Sequence, residues 1–264
     1  MKWLKDIEDF KNHIFKNKER ASKRHLNSEI TEKSHELFNK ACLEISDALK
    51  DVGFQYVASQ HKLKLTSIDR KYTLFIRFSS NRDNVAGQYV ELAAFFSVTS
   101  KDFKKYSKLN PLLNYWNEYL ISRDFCTLII GKGGNVVWNL ADVKEYRSAV
   151  TDIPKATKES LIDIFEQLQN KKLVVHAIKA NTFELGNPIL TTQYLLMNDE
   201  RLLAEKYLSD FLKRPPNKIL LDYSKAKKEF KEQGLPNEFI HGMGYGFEIA
   251  LIENQYNLNI IEPN

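Results

Sequence analysis

The sequence predicts an α+β fold: an antiparallel sheet flanked by helices, with a mostly helical C-terminal part. Three patterns carry that expectation. Between residues 37 and 52 apolar side chains recur at steps of three and four, which puts them on one face of a helix. Over residues 62–98 the repeat changes to two, as in strands with one side on a core and the other polar. In the last third helical spacing returns, bounded by cap and breaker residues.

The elements follow in order. Residues 11–24 are polar and rich in Lys and Arg, and are read as an exposed N-terminal helix. The first amphipathic helix starts at the cap Ser28, carries apolar or small residues at Ile30, Leu37, Phe38, Ala41, Cys42, Ile45, Ala48, Leu49 and Val52, on one face from Leu37 onward, and ends at Gly53, which suits a left-handed C-terminal cap. Leu63 and Leu65 alternate with Lys62 and Lys64 in the first clear strand. Tyr72, Leu74, Ile76 and Phe78 share one face of the next strand, and Val90, Leu92, Ala94, Phe96 and Val98 one face of the third. Asp69-Arg70 fits a hairpin turn, and residues 79–87 form a longer polar loop. Asn110-Pro111 begins a helix carrying Leu112, Leu113, Trp116 and Leu120. Residues 125–130 have the length and composition of a strand, Gly131-Lys132-Gly133-Gly134 turns the chain, and residues 136–140 return, for about five strands in all. Residues 157–169 read as a helix through Leu161, Ile164, Phe165 and Leu168.

Residues 173–178 read as a short strand. Asn198 is expected to cap a helix bearing Leu202, Leu203, Tyr207 and Phe211, stopped by Pro215-Pro216. Residues 219–233 form a helix with a basic side, ended by Gly234. The tail, residues 239–261, fits a helix to about Glu253 or two strands. The layout is thus an N-terminal helix over 1–26, an α+β domain over 27–170 and a helical part over 171–264, with one continuous domain as the alternative.

Composition bounds the function. The 264 residues are 43% hydrophobic and 28% charged, enough for a packed core. The net charge of +5 gives a mildly basic surface rather than the concentrated stripe of a dedicated nucleic-acid binder. No run of about 18 apolar residues exists to cross a membrane. Asp6, Glu8 and Asp9 break up the start of the chain, which lacks a secretory signal's apolar segment. The two cysteines, Cys42 and Cys126, are too few for a disulfide framework, so the expected setting is a reducing cytoplasm.

Each motif that could carry chemistry has a plainer account. His13, His25, His35, His61, His176 and His241 show no close ligand spacing for a metal. Cys42 and Cys126 fall in apolar patterns, where a thiol packs as a small hydrophobe instead of ionising. The glycines at 131–134 lie between strands, not between a strand and a helix as a phosphate loop requires. Gly242, Gly244 and Gly246, alternating with Met243 and Tyr245, suit close backbone packing better than a nucleotide site. Glu229-Phe230-Lys231 has the acid-x-lysine form of one class of metal-dependent nucleases, but lies in a helical, lysine-rich stretch. Lys62, Lys64 and Arg77 on strands, with Lys101, Lys104 and Lys105 beyond, could hold single-stranded RNA if aromatics lay beside them, yet most strand aromatics are in phase with Leu and Ile and are expected to point inward. No catalytic, cofactor-binding or metal-binding residue is therefore assigned.

Over residues 36–168 the order of features resembles a bacterial α+β domain family of unknown function, linked to toxin and immunity loci. The resemblance rests on the helix ending Leu49-Lys50-Asp51-Val52-Gly53-Phe54, the strands at 63–65, 72–78 and 90–98, Trp138-Asn139-Leu140, and the closing helix at 161–168. It implies an antitoxin-like or immunity role, with binding rather than chemistry, and supplies no catalytic residues. The expectation is a non-catalytic cytoplasmic protein-binding protein, in its specific form an immunity protein that occludes a toxin or effector through its strand face and the 79–87 loop. A metal-dependent nuclease or nucleotide-processing enzyme using Glu229 and Lys231 is the first alternative, and an RNA-binding module the second.

Overall fold

A computed structural model describes residues 32–109, 119–129, 137–214, 218–236 and 244–261. The expected N-terminal helix, the Ser28 cap, the Asn110-Pro111 helix start, the 131–134 turn, Pro215-Pro216 and Gly242-Met243 lie outside these residues. The fold is α+β. The chain divides into two compact units, residues 1–97 with 122–166, and residues 98–121 with 167–264.

The first unit is built on a sheet in the order β1-β2-β3-β4-β5, with β6 also paired to β4. Its strands are β1 (Gln55–Val57), β2 (Lys62–Thr66), β3 (Tyr72–Ser79), β4 (Glu91–Ser100), β5 (Ile121–Asp124) and β6 (Val137–Asn139). Helix α1 (Ser34–Asp47) buries Leu37, Phe38, Ala41, Cys42 and Ile45 at the expected spacing, Leu37, Phe38 and Ile45 contributing about 1.5–3 kcal/mol each; it stops short of the expected end, leaving Ala48 exposed and Val52 half-buried. A short 3-10 turn follows at Lys50–Val52, and Gly53 ends it at φ 88°, where a Cβ would be strained.

Strands β2 and β3 pair antiparallel, Leu63 opposite Ile76 and Leu65 opposite Leu74, so the apolar sets stack on one side. In the turn between them Asp69 Oδ1 accepts from Ser67 Oγ at 2.6 Å and from the Lys71 amide at 3.0 Å. Arg70 takes φ 59° there, and the Asp69-Arg70 turn stands as expected. Asn139 pins the start of β4 to β6: its Oδ1 accepts from the amides of Val90 and Ala141, and its Nδ2 donates to the Gln88 carbonyl.

The strand expected at 125–130 lies earlier. The strand is β5, and residues 126–129 form a single helical turn, α3 (Cys126–Ile129). Phe125 is the joint, its amide bonded to the Ala94 carbonyl and its ring fully buried. A short apolar run does not distinguish strand from buried helix by periodicity. Beyond β6, Asp142 caps α4 (Val143–Ala156) by accepting from the amides of Lys144 and Glu145. The helix holds Pro154, widens to a π turn over Thr157–Leu161, and continues as α5 (Ile162–Gln169). Proline has no N–H for the ladder, which favours the altered turn just after it.

The second unit is helical: α2 (Lys101–Ser107), α6 (Lys171–Lys179), α7 (Pro188–Met197), α8 (Arg201–Leu212), α9 (Lys218–Gln233) and α10 (Gly244–Tyr256). Residues 173–178 are thus helix, not strand. Asn170 caps α6 by accepting from the amides of Lys172 and Leu173, and Val174 and Ile178, four apart, are its buried pair. Asn198 does not begin α8 but closes α7, its Nδ2 donating to the Tyr194 carbonyl at 2.7 Å. The described part of the tail, residues 244–261, is one helix, α10, followed by a short non-helical end, and not two strands. It crosses α9 at Gly246, where a Cβ would lie 2.4 Å from the Ile219 carbonyl oxygen and 2.6 Å from the Tyr223 amide nitrogen. Phe230 packs edge-on against Phe247 at 5.1 Å, and Glu253 accepts from the Tyr223 hydroxyl at 2.7 Å and pairs with Lys227 at 3.1 Å.

Candidate functional site

The sheet has one face of Leu63, Leu74 and Ile76, all fully buried. The opposite face follows from the register. Gln55, Lys64 and Phe75 form one row across β1, β2 and β3, and Val57, Lys62 and Arg77 form the next. None of these six side chains is buried. The Lys62 ammonium stands 4.8 Å from the Phe75 ring centre, and the Arg77 guanidinium 6.0 Å from it. Cations at these distances are attracted to the ring face, by about 0.5–1 kcal/mol each at an exposed site. Lys62 and Arg77 face each other in the row beside Phe75, so both charges lie near the same edge of the ring, and contacts that restrain the ring before binding reduce the side-chain entropy lost on binding.

On β4 the same unit exposes Phe95, 36% accessible. It lines a cleft of about 130 Å³ with Ser79, Glu91, Ala93, Asp124 and Val137. Burial raises the Asp124 carboxyl above its ordinary range. Glu91 is oriented by the Tyr89 hydroxyl, which donates to its Oε2 at 2.9 Å. The unit therefore carries a basic-aromatic patch on β2 and β3, and a small acidic cleft beside β4.

The sequence located Lys62, Lys64 and Arg77 on strands, and the structure brings Lys62 and Arg77 to one ring. It missed Phe75 and Phe95. Phe78 and Phe96 are buried as expected, but Phe75 and Phe95 point the other way. The signal was present, since Phe75 falls between the core residues Leu74 and Ile76 and a strand alternates. Lys101, Lys104 and Lys105 are on α2 in the second unit.

The other motifs fall as follows. Cys42 is fully buried and its thiol is pushed up to about 12, chiefly by burial, which favours packing as a small hydrophobe over ionisation near neutral pH. Glu229 and Lys231 lie on α9, two residues apart and so turned to different sides of the helix, and Glu229 faces Lys225 at 3.8 Å. Gly246 is a packing contact and Gly244 opens α10 at φ 81°. His35 is exposed on α1, and His61 packs edge-on against Phe38 at 5.2 Å. His13, His25 and His241 lie outside the described residues, among which no three His, Cys, Asp or Glu side chains group to hold a metal ion. Among the described residues no helix is long and apolar enough to cross a membrane. Comparison of the chain with protein-family models, with curated proteins and with solved structures yields no match.

Proposed function

We propose that this chain is a binding protein that docks a protein partner through the open sheet face of its first unit, and that its role is that of an immunity protein covering a toxin or effector. One observation carries the reading: Phe75, half-buried on the β3 face opposite the core, with Lys62 and Arg77 beside its ring. An aromatic ring beside a guanidinium, fixed on a strand, is the kind of anchor that dominates protein interfaces. The surrounding positive charge selects a partner with an acidic patch and speeds its approach. Phe75 out on a basic sheet face also favours a second reading, an RNA-binding module that stacks a base on the ring.

The test uses the tagged full-length chain and a Phe75→Ala/Arg77→Glu variant, both passed through extract of the native cell. The recovered partner is then purified and its affinity measured directly. Loss of an interface anchor predicts weakening by about thirtyfold for the variant, with its unfolding curve unchanged. An immunity role adds that the wild-type chain restores growth to cells expressing the partner and the variant does not. Recovery of RNA alone, with affinity falling steeply with salt, would establish the second reading. Equal binding by both chains, or turnover of a substrate with no partner recovered, would refute the proposal.

A further inference from the structure

The second unit holds a groove of about 510 Å³ between α6 and α8. Its rim is formed by Lys171, Lys172 and Lys179 from α6 and Lys206 from α8, all exposed. Their placement follows from helix geometry: positions 171, 172, 175 and 179 share one side of α6. None of the four lysines forms an ion pair with a described residue, and the groove's one carboxylate is Glu200. Glu205, one turn along α8, is engaged elsewhere, accepting from the Asn259 amide at 3.0 Å and facing Arg201 at 3.6 Å. Four ammonium groups against one carboxylate leave a concentrated positive field over a single concavity.

The floor is different in kind. Val175 and Leu203 are half-buried within it, and Leu202 stands at its edge, 81% exposed. A leucine left in water beside a cationic rim is surface that an apolar group could cover. A nucleic-acid backbone would use the lysines but has nothing for the leucines, and the one aromatic ring lining the groove is the His176 imidazole, a smaller stacking surface than Phe, Tyr or Trp. An acidic amphipathic helix satisfies both halves, with apolar side chains between Leu202, Leu203 and Val175 and carboxylates on the lysines.

We propose that the α6–α8 groove is a second docking site, separate from the sheet face, and that it takes an acidic amphipathic helical segment of a partner protein. The site does not depend on the role assigned to the first unit.

The probe is a fluorescent 14-residue helical peptide with Leu at spacings of three and four and Glu on the remaining face, titrated against the full chain. Controls are the same peptide with Lys for Glu, a poly-Glu peptide of equal charge, and single-stranded RNA of equal charge. The acidic amphipathic peptide should bind most tightly. Its affinity should fall about tenfold for Lys172→Glu/Lys206→Glu, and severalfold for Leu202→Ser, an exposed position whose change leaves the fold intact. Phe75→Ala should leave it unchanged, so that failure here is distinguishable from failure of the sheet-face reading. Tighter binding of poly-Glu or RNA than of the amphipathic peptide, or affinity indifferent to both groove variants, would overturn the proposal.

Discussion

Gly246 is the position at which one methyl group should do the most damage. In Gly246→Ala the new carbon would sit 2.4 Å from the Ile219 carbonyl oxygen, 2.6 Å from the Tyr223 amide nitrogen and 2.8 Å from Asp222 Cβ. Two of these are backbone atoms of α9, so no rotamer change relieves the overlap. Restoring van der Waals contact requires the two helices to part by about 1 Å. That movement pulls Glu253 from Tyr223 and Lys227 and opens the Phe230–Phe247 contact. Overpacking that the backbone must absorb, together with a weakened charge-assisted hydrogen bond, gives a loss of about 3–5 kcal/mol. Gly244→Ala is the internal control. It adds a carbon with no neighbour within 4 Å and strains only its own φ of 81°, at about 1 kcal/mol. A urea titration followed by hydrogen exchange of the α9 and α10 segments should show the Gly246 variant opening at far lower urea than the Gly244 variant. Equal midpoints for the two variants would refute the close-crossing account of this glycine cluster.

Other expectations follow from single contacts. Asn139→Ala strips hydrogen-bond partners from the Val90 and Ala141 amides and the Gln88 carbonyl, and should cost about 2–4 kcal/mol by thermal unfolding. Asp142→Ala removes the cap of α4 and should cost about 1 kcal/mol, read the same way. Burial raises the folded-state pKa of Asp124 above its unfolded value, so its charged form penalises the fold at neutral pH and the penalty vanishes as pH falls below the unfolded pKa. Asp124→Asn should therefore raise the melting temperature at pH 7 and leave it unchanged near pH 3; a gain of equal size at both would contradict the assignment. With its thiol pushed up to about 12, Cys42 should resist iodoacetamide at pH 8 in the folded chain and react in urea, as mapped by mass spectrometry.

What the sequence made legible was what had a one-sided pattern. Helix α1 and strands β2 and β3 each put a single apolar face on a core, and their periods announced them; β4 was legible from its alternating Leu92, Ala94, Phe96 and Val98 although the small Ala93 and Ser97 on its other face are buried too. Helix α7 carries no such signal, because Pro188 to Leu195 are all buried and no polar face marks a helical period. The β-branched run Val174-Val175 made α6 look like a strand, while the signal that decided it was the Asn170 cap. The sheet-face cations are readable from alternation, and Phe75 shares their phase, between the core residues Leu74 and Ile76. The lysine groove was not readable at all, since α6 and α8 are brought side by side only by tertiary packing. The Gly244 and Gly246 pair became interpretable once α9 was seen to press its backbone against the second of them.

Hydroxyl-radical footprinting of the chain, free and with its recovered partner, interrogates the docking face directly, because it reports aromatic side chains one at a time. Oxidation of Phe75 should drop sharply in the complex and that of Phe95 to a lesser degree, while Tyr residues of the helical unit stay as reactive as before. A complex in which Phe75 is oxidised as fast as in the free chain would contradict the placing of the partner on this sheet.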